Sequence, residues 1–299
     1  MAAQTVEIEV DGRTLRLSNL EKVLFPDEGF TKGAVINYYR GVAPALLAHL
    51  KGRPLTLKRY PNGVADSFFY EKQCPKHRPD WMNLAPVQTG SRLIEYCLVE
   101  ELAALVWVAN TASIEIHPLL ACFPDVGQPT KITFDLDPGE PAGIKECCQV
   151  AVLLKDVLDE LGLQAFPKTS GSKGMQLEVP LNTSASYEET KPFALALARL
   201  LEARHPALVV SKMDKSLRPG KVLIDWSQND DTKTTVSVYS LRAKSRPYVS
   251  TPVTWDEVQQ GAEGYTMSFI AAEVLERIEM LGDLQAPVLS LRQSLPALE

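Results

Sequence analysis

The chain lacks any apolar run near the roughly 18 residues that cross a bilayer, and its first seven residues lack the basic and apolar regions of a secretory signal. Membrane spans and export drop out as starting points, no membrane partner is expected, and the cytoplasm is the expected location. Cysteine is scarce as well. Cys74, Cys97, Cys122, Cys147 and Cys148 are odd in number and match neither a disulfide framework nor a CxxC zinc spacing, so they read as reduced thiols, mostly buried. Internal repeats and low-complexity linkers are missing. Positive charge is short overall, with 31 Lys and Arg against 37 Asp and Glu, and the net of −6 argues against a polyanionic partner for the chain as a whole.

That balance is segregated along the chain. Residues 1–80 hold 12 basic against 9 acidic groups and residues 211–250 hold 8 against 4, while 81–210 (9 against 16) and 251–299 (2 against 8) are acidic. Two basic segments that meet in space would serve a phosphate backbone; either alone reads as a solvated face. The remaining composition, 45% hydrophobic and 23% charged over 299 residues, is that of a soluble globular protein with one large core or two modest ones.

Turn and cap residues divide the chain. Asp11-Gly12 lies between alternating segments 6–10 and 14–17, the pattern of a hairpin. Thr31 is placed to cap an amphipathic helix reaching about residue 50, with Gly52 as its stop. Residues 54–60, 92–99 and 113–117 read as extended and 100–110 as helical. From residue 131 the order is strand, helix (141–161), strand (164–168), turn, strand (175–179) and helix (187–204), then strands near 207–210, 221–226 and 234–240. Hairpins mixed with crossovers predict an α+β fold and not a regular doubly wound one. The acidic stretch from Trp255 has helical periodicity over 269–278 and is expected to pack on the outside.

Three stretches carry chemistry. In the strand from residue 131, Asp135 and Asp137 stand at i and i+2, hence on one face, and Pro138-Gly139 is expected to leave the pair at an open edge. Two such carboxylates repel unless a cation lies between them, and their hard oxygens suit Mg²⁺ or Mn²⁺. A solvated strand end entering a turn is the alternative. Beyond the next helix, Lys168-Thr169-Ser170-Gly171-Ser172-Lys173-Gly174 combines two glycines, the Ser170 and Ser172 hydroxyls and the Lys173 charge, the components of a phosphate cradle. The Walker A spacing is absent, and a plain hairpin turn competes with the cradle. Asp225, near the end of the 221–226 strand, would complete a two-metal ligand set; taken alone it is a strand-end or cap residue. The loop over 211–221 is polar and basic.

Together with the blocks Lys51 to Gly63, Phe68-Phe69, Lys76 to Pro79, Asp225 to Asn229, Lys233 to Thr235 and Tyr239 to Arg242, these stretches make the chain resemble the polymerase domain of bacterial ligase D, a branch of the archaeo-eukaryotic primase superfamily used in non-homologous end joining. The resemblance covers nearly all of the chain. It implies a primase-like α+β catalytic core with mixed or antiparallel sheets flanked by helices, in a single domain over residues 1–299. Its parts would be an N-terminal DNA-binding part to about 120, a metal and nucleotide core over about 121–250 and an acidic helical segment over about 251–299.

The resemblance also implies site residues. Two Mn²⁺ (or Mg²⁺) ions would sit on Asp135, Asp137 and Asp225. The triphosphate of an NTP or dNTP would be held by Ser170, Ser172 and Lys173, helped by Lys58, His117 and Arg242, with Gln176 and Gln228 also in the nucleotide site. Phe68 and Phe69 would offer a stacking surface for the nucleotide base or the template, with a buried aromatic pair as the alternative. Asn19, Lys22 and Lys32 match the family's pocket for the 5′-phosphate of gapped or recessed DNA; without the resemblance they read as a solvated helix flank. Lys215 and Arg218 fall in a loop that in relatives contacts the primer or the synaptic partner.

One position departs from the family. After Ser-Gly-Ser-Lys-Gly the family carries a large apolar residue and then histidine, whereas this chain reads Met175-Gln176. Gln donates a hydrogen bond but carries no charge and relays no proton. Losing one charge-assisted contact costs on the order of 1–3 kcal/mol, roughly 5- to 150-fold.

The expected activity is metal-assisted attack of a primer 3′-hydroxyl on the α-phosphate of a nucleotide, with ribonucleotides preferred, at gaps and ends of DNA. The chain carries no ligase or phosphoesterase segment, so it reads as a stand-alone, nucleoid-associated bacterial polymerase, with Ku and a separate DNA ligase as expected partners. Three other readings stay open: a catalytically weak DNA-end binder, a primase that starts strands unprimed, and a terminal transferase.

Overall fold

The computed structural model describes residues 5–296; residues 1–4, part of the stretch read above for a leader, and 297–299 lie outside it. Among the described residues no helix is long and apolar enough to cross a membrane. The chain divides into two compact units, the first formed by residues up to 119 with 236–249 and 269–282, the second by 120–235, 250–268 and the residues from 283 on.

In the first unit, hairpin strands Thr5–Val10 and Arg13–Ser18 pair in register around Asp11 (φ 48°) and Gly12 (φ 75°), the left-handed pair that a tight hairpin turn requires. Helix Lys32–Leu50 starts where expected, because the Thr31 hydroxyl accepts the Ala34 N–H at 3.1 Å. Val35, Ile36, Tyr39, Val42, Leu46 and Leu50, spaced as one helical stripe, are buried in that unit's core. Strand Leu55–Arg59 lies at the centre of a sheet, pairing antiparallel with Phe69–Glu71, Ser113–Pro118 and, through Leu55, Arg92–Cys97. Cys74 and Cys97 form a disulfide, which corrects the expectation of five reduced thiols; Cys122, Cys147 and Cys148 are free. The two cysteines are 23 residues apart and meet because the Cys74 N–H bonds the Glu95 carbonyl, a pairing that no sequence spacing announces.

The second unit is built on a mixed five-stranded sheet in the order Phe166–Thr169, Met175–Pro180, Lys131–Pro138, Val222–Asp225, Val209–Val210, with only the last pair parallel. Helices Ile144–Glu160 and Tyr187–Arg204 pack on it through buried stripes. Strand Lys131–Pro138 ends at the expected Pro, but it is the central strand, so Asp135 and Asp137 do not lie on an open edge.

One further expectation is revised. Residues 234–240 form no strand: Tyr239 takes φ +62°, and Val236, Val238 and Tyr239 are buried without a ladder. The acidic C-terminal stretch is shared between the units, helix Trp255–Glu263 belonging to the second and helix Ala271–Leu281 to the first, each with most of its residues at least partly exposed. Each buries a short apolar face in its own unit, through Val258 and Val274 respectively; periodicity shows that a face is buried, not against what.

Candidate active site

Register across the second unit's sheet assembles the acids. Asp135 pairs with Gln176 on one side and with Asp225 on the other, and Gln176 pairs in turn with Lys168. Residues opposite each other in an antiparallel ladder share a face, so these four form one row across four strands, with Asp137 beside Asp135. Asp135 Oδ1 accepts from Gln176 Nε2 at 3.1 Å. Asp225 is held from both sides, Oδ1 by the Ser227 N–H (2.9 Å) and hydroxyl (2.6 Å), Oδ2 by Gln228 Nε2 (3.0 Å). Arg218 Nη1 donates to Asp137 Oδ2 at 3.1 Å, while its Nη2 donates to the Met213 carbonyl at 2.8 Å. Burial pushes the Asp135 carboxyl up to about 6, with the charges of Asp225 and Asp137 adding to the rise and Gln176 and Lys168 opposing it.

Two glycines bring loops onto this row. Ser170 to Gly174 join strands Phe166–Thr169 and Met175–Pro180 as a tight turn in which the Ser170 hydroxyl accepts the N–H groups of Ser172 and Gly174, both at 3.2 Å. A Cβ on Gly174 would lie 2.0 Å from the Leu136 carbonyl, between the two acids in sequence, so only glycine lets the turn approach so closely. Ser172 is exposed, and Lys173 Nζ donates to Glu140 at 2.6 Å in an exposed pair. On the other flank the Gly139 N–H donates to the Lys221 carbonyl and the Gly220 N–H to the Gly139 carbonyl, which stitches the basic loop to the strand end. Lys215 is exposed on that loop.

In the first unit, Lys58, His117 and Arg242 gather round one carboxylate that the sequence analysis did not single out. Glu115, 2% exposed, lies 3.5 Å from Lys58 Nζ, 2.9 Å from His117 Nε2 and 3.3 Å from Arg242 Nε, and it accepts the Ala243 N–H at 3.1 Å. Burial works to raise its carboxyl, but the His117 hydrogen bond and the charges of Arg242, His117 and Lys58 hold it well below the usual range. Burial pushes His117 below its ordinary value against the pull of Glu115. The Lys58 ammonium stands 4.1 Å from the Phe68 ring centroid and 5.3 and 5.6 Å from those of Tyr60 and Tyr70. Phe68 and Phe69 are 48% and 44% exposed, so they are not the buried aromatic pair.

The same unit carries the residues matched to a 5′-phosphate pocket. Asn19 takes φ 55° in a turn closed by the Lys22 N–H, and that turn is tied to the helix start by the Lys32 and Gly33 N–H groups. Lys22 Nζ donates to Asn62 Oδ1 at 3.0 Å, and Lys32 Nζ to the Ser18 carbonyl at 2.6 Å. Burial, then the charges of Lys22 and Arg59, push Lys32 down to about 8. Arg59, bonded to Glu71 at 2.9 Å, thus joins a cation group that the sequence reading left at Lys22 and Lys32. A concavity of about 480 Å³ lined in part by Arg16, Ser18, Arg59 and His77 shares Arg59 and Ser18 with this group, although Asn19, Lys22 and Lys32 do not line it.

A family model for the LigD primase-polymerase domain matches residues 31–285. The chain belongs to this family. The multifunctional non-homologous end joining protein LigD of Mycolicibacterium smegmatis is 41% identical over 276 residues, 92% of this chain and 36% of that protein. The bifunctional non-homologous end joining protein LigD of Bacillus subtilis is 32% identical over 269 residues, 90% of this chain and 43% of that protein. The chain therefore spans little more than a third of the length of the mycobacterial relative. The polymerase domain of Mycobacterium tuberculosis ligase D, solved in complex with DNA, is similar with a TM-score of 0.87 and 40% identity, over 93% of this chain and 99% of that one. The primase-like α+β architecture expected from the sequence is the one observed. LigD primase-polymerase domains are nucleotidyltransferases of end-joining repair, a chemistry that depends in general on divalent metal.

In this LigD-type domain, no group of three or more His, Cys, Asp or Glu side chains among the described residues is gathered as a metal cage. The donor chemistry nonetheless fits a divalent cation: Asp135 and Asp225 are partners across one ladder, their mutual charge raises Asp135, and carboxylate oxygens are hard ligands. Gln176 and Gln228, assigned to the nucleotide by resemblance, donate to Asp135 and Asp225. Glu115 was legible by the signal that found Asp135 and Asp137, since Glu115 and His117 stand at i and i+2 in an alternating strand. Lys168 was quoted in the motif but given no role, and nothing local marks a lysine for burial.

Proposed function

We propose that this chain is a template-directed nucleotidyltransferase that fills gaps and extends ends of broken DNA in non-homologous end joining, with Asp135, Asp137 and Asp225 as ligands of two Mn²⁺ ions. The observation that supports it most is the in-register pairing of Asp135 with Asp225 beside Asp137, on the strand that the Ser170–Gly174 turn touches. When bound, such ions supply charge that activates the primer 3′-hydroxyl and neutralises the departing pyrophosphate. The side chains around them orient the acids: Gln176 holds Asp135, while Ser227 and Gln228 hold Asp225.

Ser172 and Lys173 are the groups offered to the triphosphate, with Ser170 shaping their turn. The Lys173–Glu140 pair is exposed and screened by solvent, so exchanging Glu140 for a phosphate oxygen is favourable. On the first unit, Lys58 and Arg242 present cationic donors and His117 an imidazole, all assigned to the nucleotide, and exposed Phe68 and Phe69 present faces for a base. Asn19, Lys22 and Lys32, with Arg59 added, are assigned to a DNA 5′-phosphate, and Lys215 with Arg218 to the primer side. A ribonucleotide preference, recruitment by Ku, sealing by a separate ligase and association with the nucleoid complete the reading.

The test is extension of a gapped duplex with Mn²⁺ and either NTPs or dNTPs, wild type beside Asp135→Ala. Wild type extends, faster with ribonucleotides, and Asp135→Ala binds 5′-phosphorylated DNA without extending. If neither protein extends while both bind, the chain is an end binder and the polymerase reading is wrong.

A further inference from the structure

Lys168 has none of its surface exposed, on the sheet face it shares with Gln176 and Asp135. Burying an ammonium is costly unless its donors are used. Its Nζ donates to Gln176 Oε1 at 2.6 Å and to the Ser250 hydroxyl at 2.8 Å, and that hydroxyl donates in turn to the Thr169 carbonyl at 3.0 Å. From the other end of the same amide, Gln176 Nε2 donates to Asp135 Oδ1 at 3.1 Å. Ladder register stacks the three residues as direct neighbours on consecutive strands.

We propose that Lys168 is a positioning residue for the acid row, acting through Gln176: the buried ammonium dictates which end of the amide faces Asp135. A primary amide carries an acceptor at one end and donors at the other, and by itself it fits a pocket either way round. Lysine has donors only. With Lys168 on one side, Oε1 must turn to the ammonium and the NH₂ group must turn to the carboxylate, the one arrangement in which both contacts are attractive. The cation also polarises the amide and strengthens the Nε2 donor. Gln176 thereby gains a fixed donor geometry toward Asp135 without a charge of its own. An imidazole in the same place would meet the same demand, accepting from Lys168 with one nitrogen and donating to Asp135 with the other. The Gln that breaks the family's histidine pattern is, on this view, a residue that Lys168 makes equivalent as a donor.

The inference rests on the polymerase reading only for its kinetic arm. The first measurement is made on metal-free protein: the side-chain NH₂ protons of Gln176, assigned by their loss in Gln176→Leu, are read by ¹H–¹⁵N NMR in wild type, Lys168→Met and Lys168→Arg. Wild type and Lys168→Arg, which keeps donors only, show the pair resolved and slow to exchange with solvent; Lys168→Met loses that protection. In Mn²⁺-dependent extension, Lys168→Met lowers kcat about tenfold or more with the nucleotide KM within about twofold. The Lys168→Met/Gln176→Leu double variant is no slower than Gln176→Leu alone, because a residue that acts through another has no effect once the other is gone. If Lys168→Met does not fold, Lys168→Arg, alone and with Gln176→Leu, carries both arms of the test. Unchanged protection of the Gln176 amide in Lys168→Met, exchange in Lys168→Arg as fast as in solvent-exposed glutamine side chains, or fully additive kinetic losses in the double variant would overturn it. Should wild type fail to extend at all, the polymerase reading falls while the NMR arm still decides this one.

Discussion

Glu115 shows how one buried residue sets the charge of a whole cluster. Its carboxylate is enclosed by Lys58, His117 and Arg242, contributed by three strands of the first unit. Removing one partner of such a buried group leaves charges unpaired in low dielectric, at a cost of about 3–5 kcal/mol. Glu115→Ala is therefore expected to destabilise the protein by that amount in urea melts, and to raise the nucleotide KM, since the cations it aligns would repel one another. A melt within ~1 kcal/mol of wild type would show the cluster to be solvated rather than organised. Lys32 carries the pH prediction. Its proton is held to about 8 in the fold against 10.5 in a free lysine, so between these values the unfolded chain keeps the proton and the folded chain has lost it. Stability from this group thus grows with rising pH in that window, while the charge offered to a 5′-phosphate disappears. The affinity advantage of 5′-phosphate over 5′-hydroxyl DNA is expected to fall from pH 7 to pH 9, and a Lys32→Met protein, measured by the same anisotropy titration, to show no such fall.

At the scale of elements, the acid row depends on how closely a turn and a strand approach. Gly174→Ala would place a methyl 2.0 Å from the Leu136 carbonyl, a backbone atom flanked by Asp135 and Asp137 that can yield only if the strand shifts. The expected outcome is a loss of about 1–3 kcal/mol or more, together with a fall in extension rate. Gly127→Ala, where a Cβ meets nothing within 4 Å, serves as the neutral control. Most elements here were legible from local chemistry. The Thr31 cap, the Asp11-Gly12 turn and the Pro138 strand end each act over a few residues, and each is found where its signal stands. What misled was partnership: Lys131–Pro138 ends as its sequence says, yet it is central rather than at an edge, and the apolar residues of 234–240 are buried without becoming a strand. Apolar alternation reports burial, and burial does not require a ladder.

For the molecule as a whole, each unit has its own interior, and the first is additionally closed by a covalent link. The Cys74–Cys97 disulfide bridges 23 residues of sequence, for which chain entropy gives about 3 kcal/mol. Calorimetry is expected to show a lower unfolding temperature in strong reductant than in oxidant, and a Cys74→Ser/Cys97→Ser protein to melt alike in both. The α+β class, the family, the ends of most helices and strands, and the i, i+2 pair of acids are written in the order of the residues, because all of these follow from neighbours along the chain or from blocks matched in order. Folding alone brings Lys168, Gln176, Asp135 and Asp225 into one row, gathers Lys58, His117 and Arg242 round Glu115, lets the Arg59 charge bear on Lys32, and joins two of the five cysteines. These depend on which distant segments become neighbours, and a pairing between segments far apart leaves no periodic trace in either one.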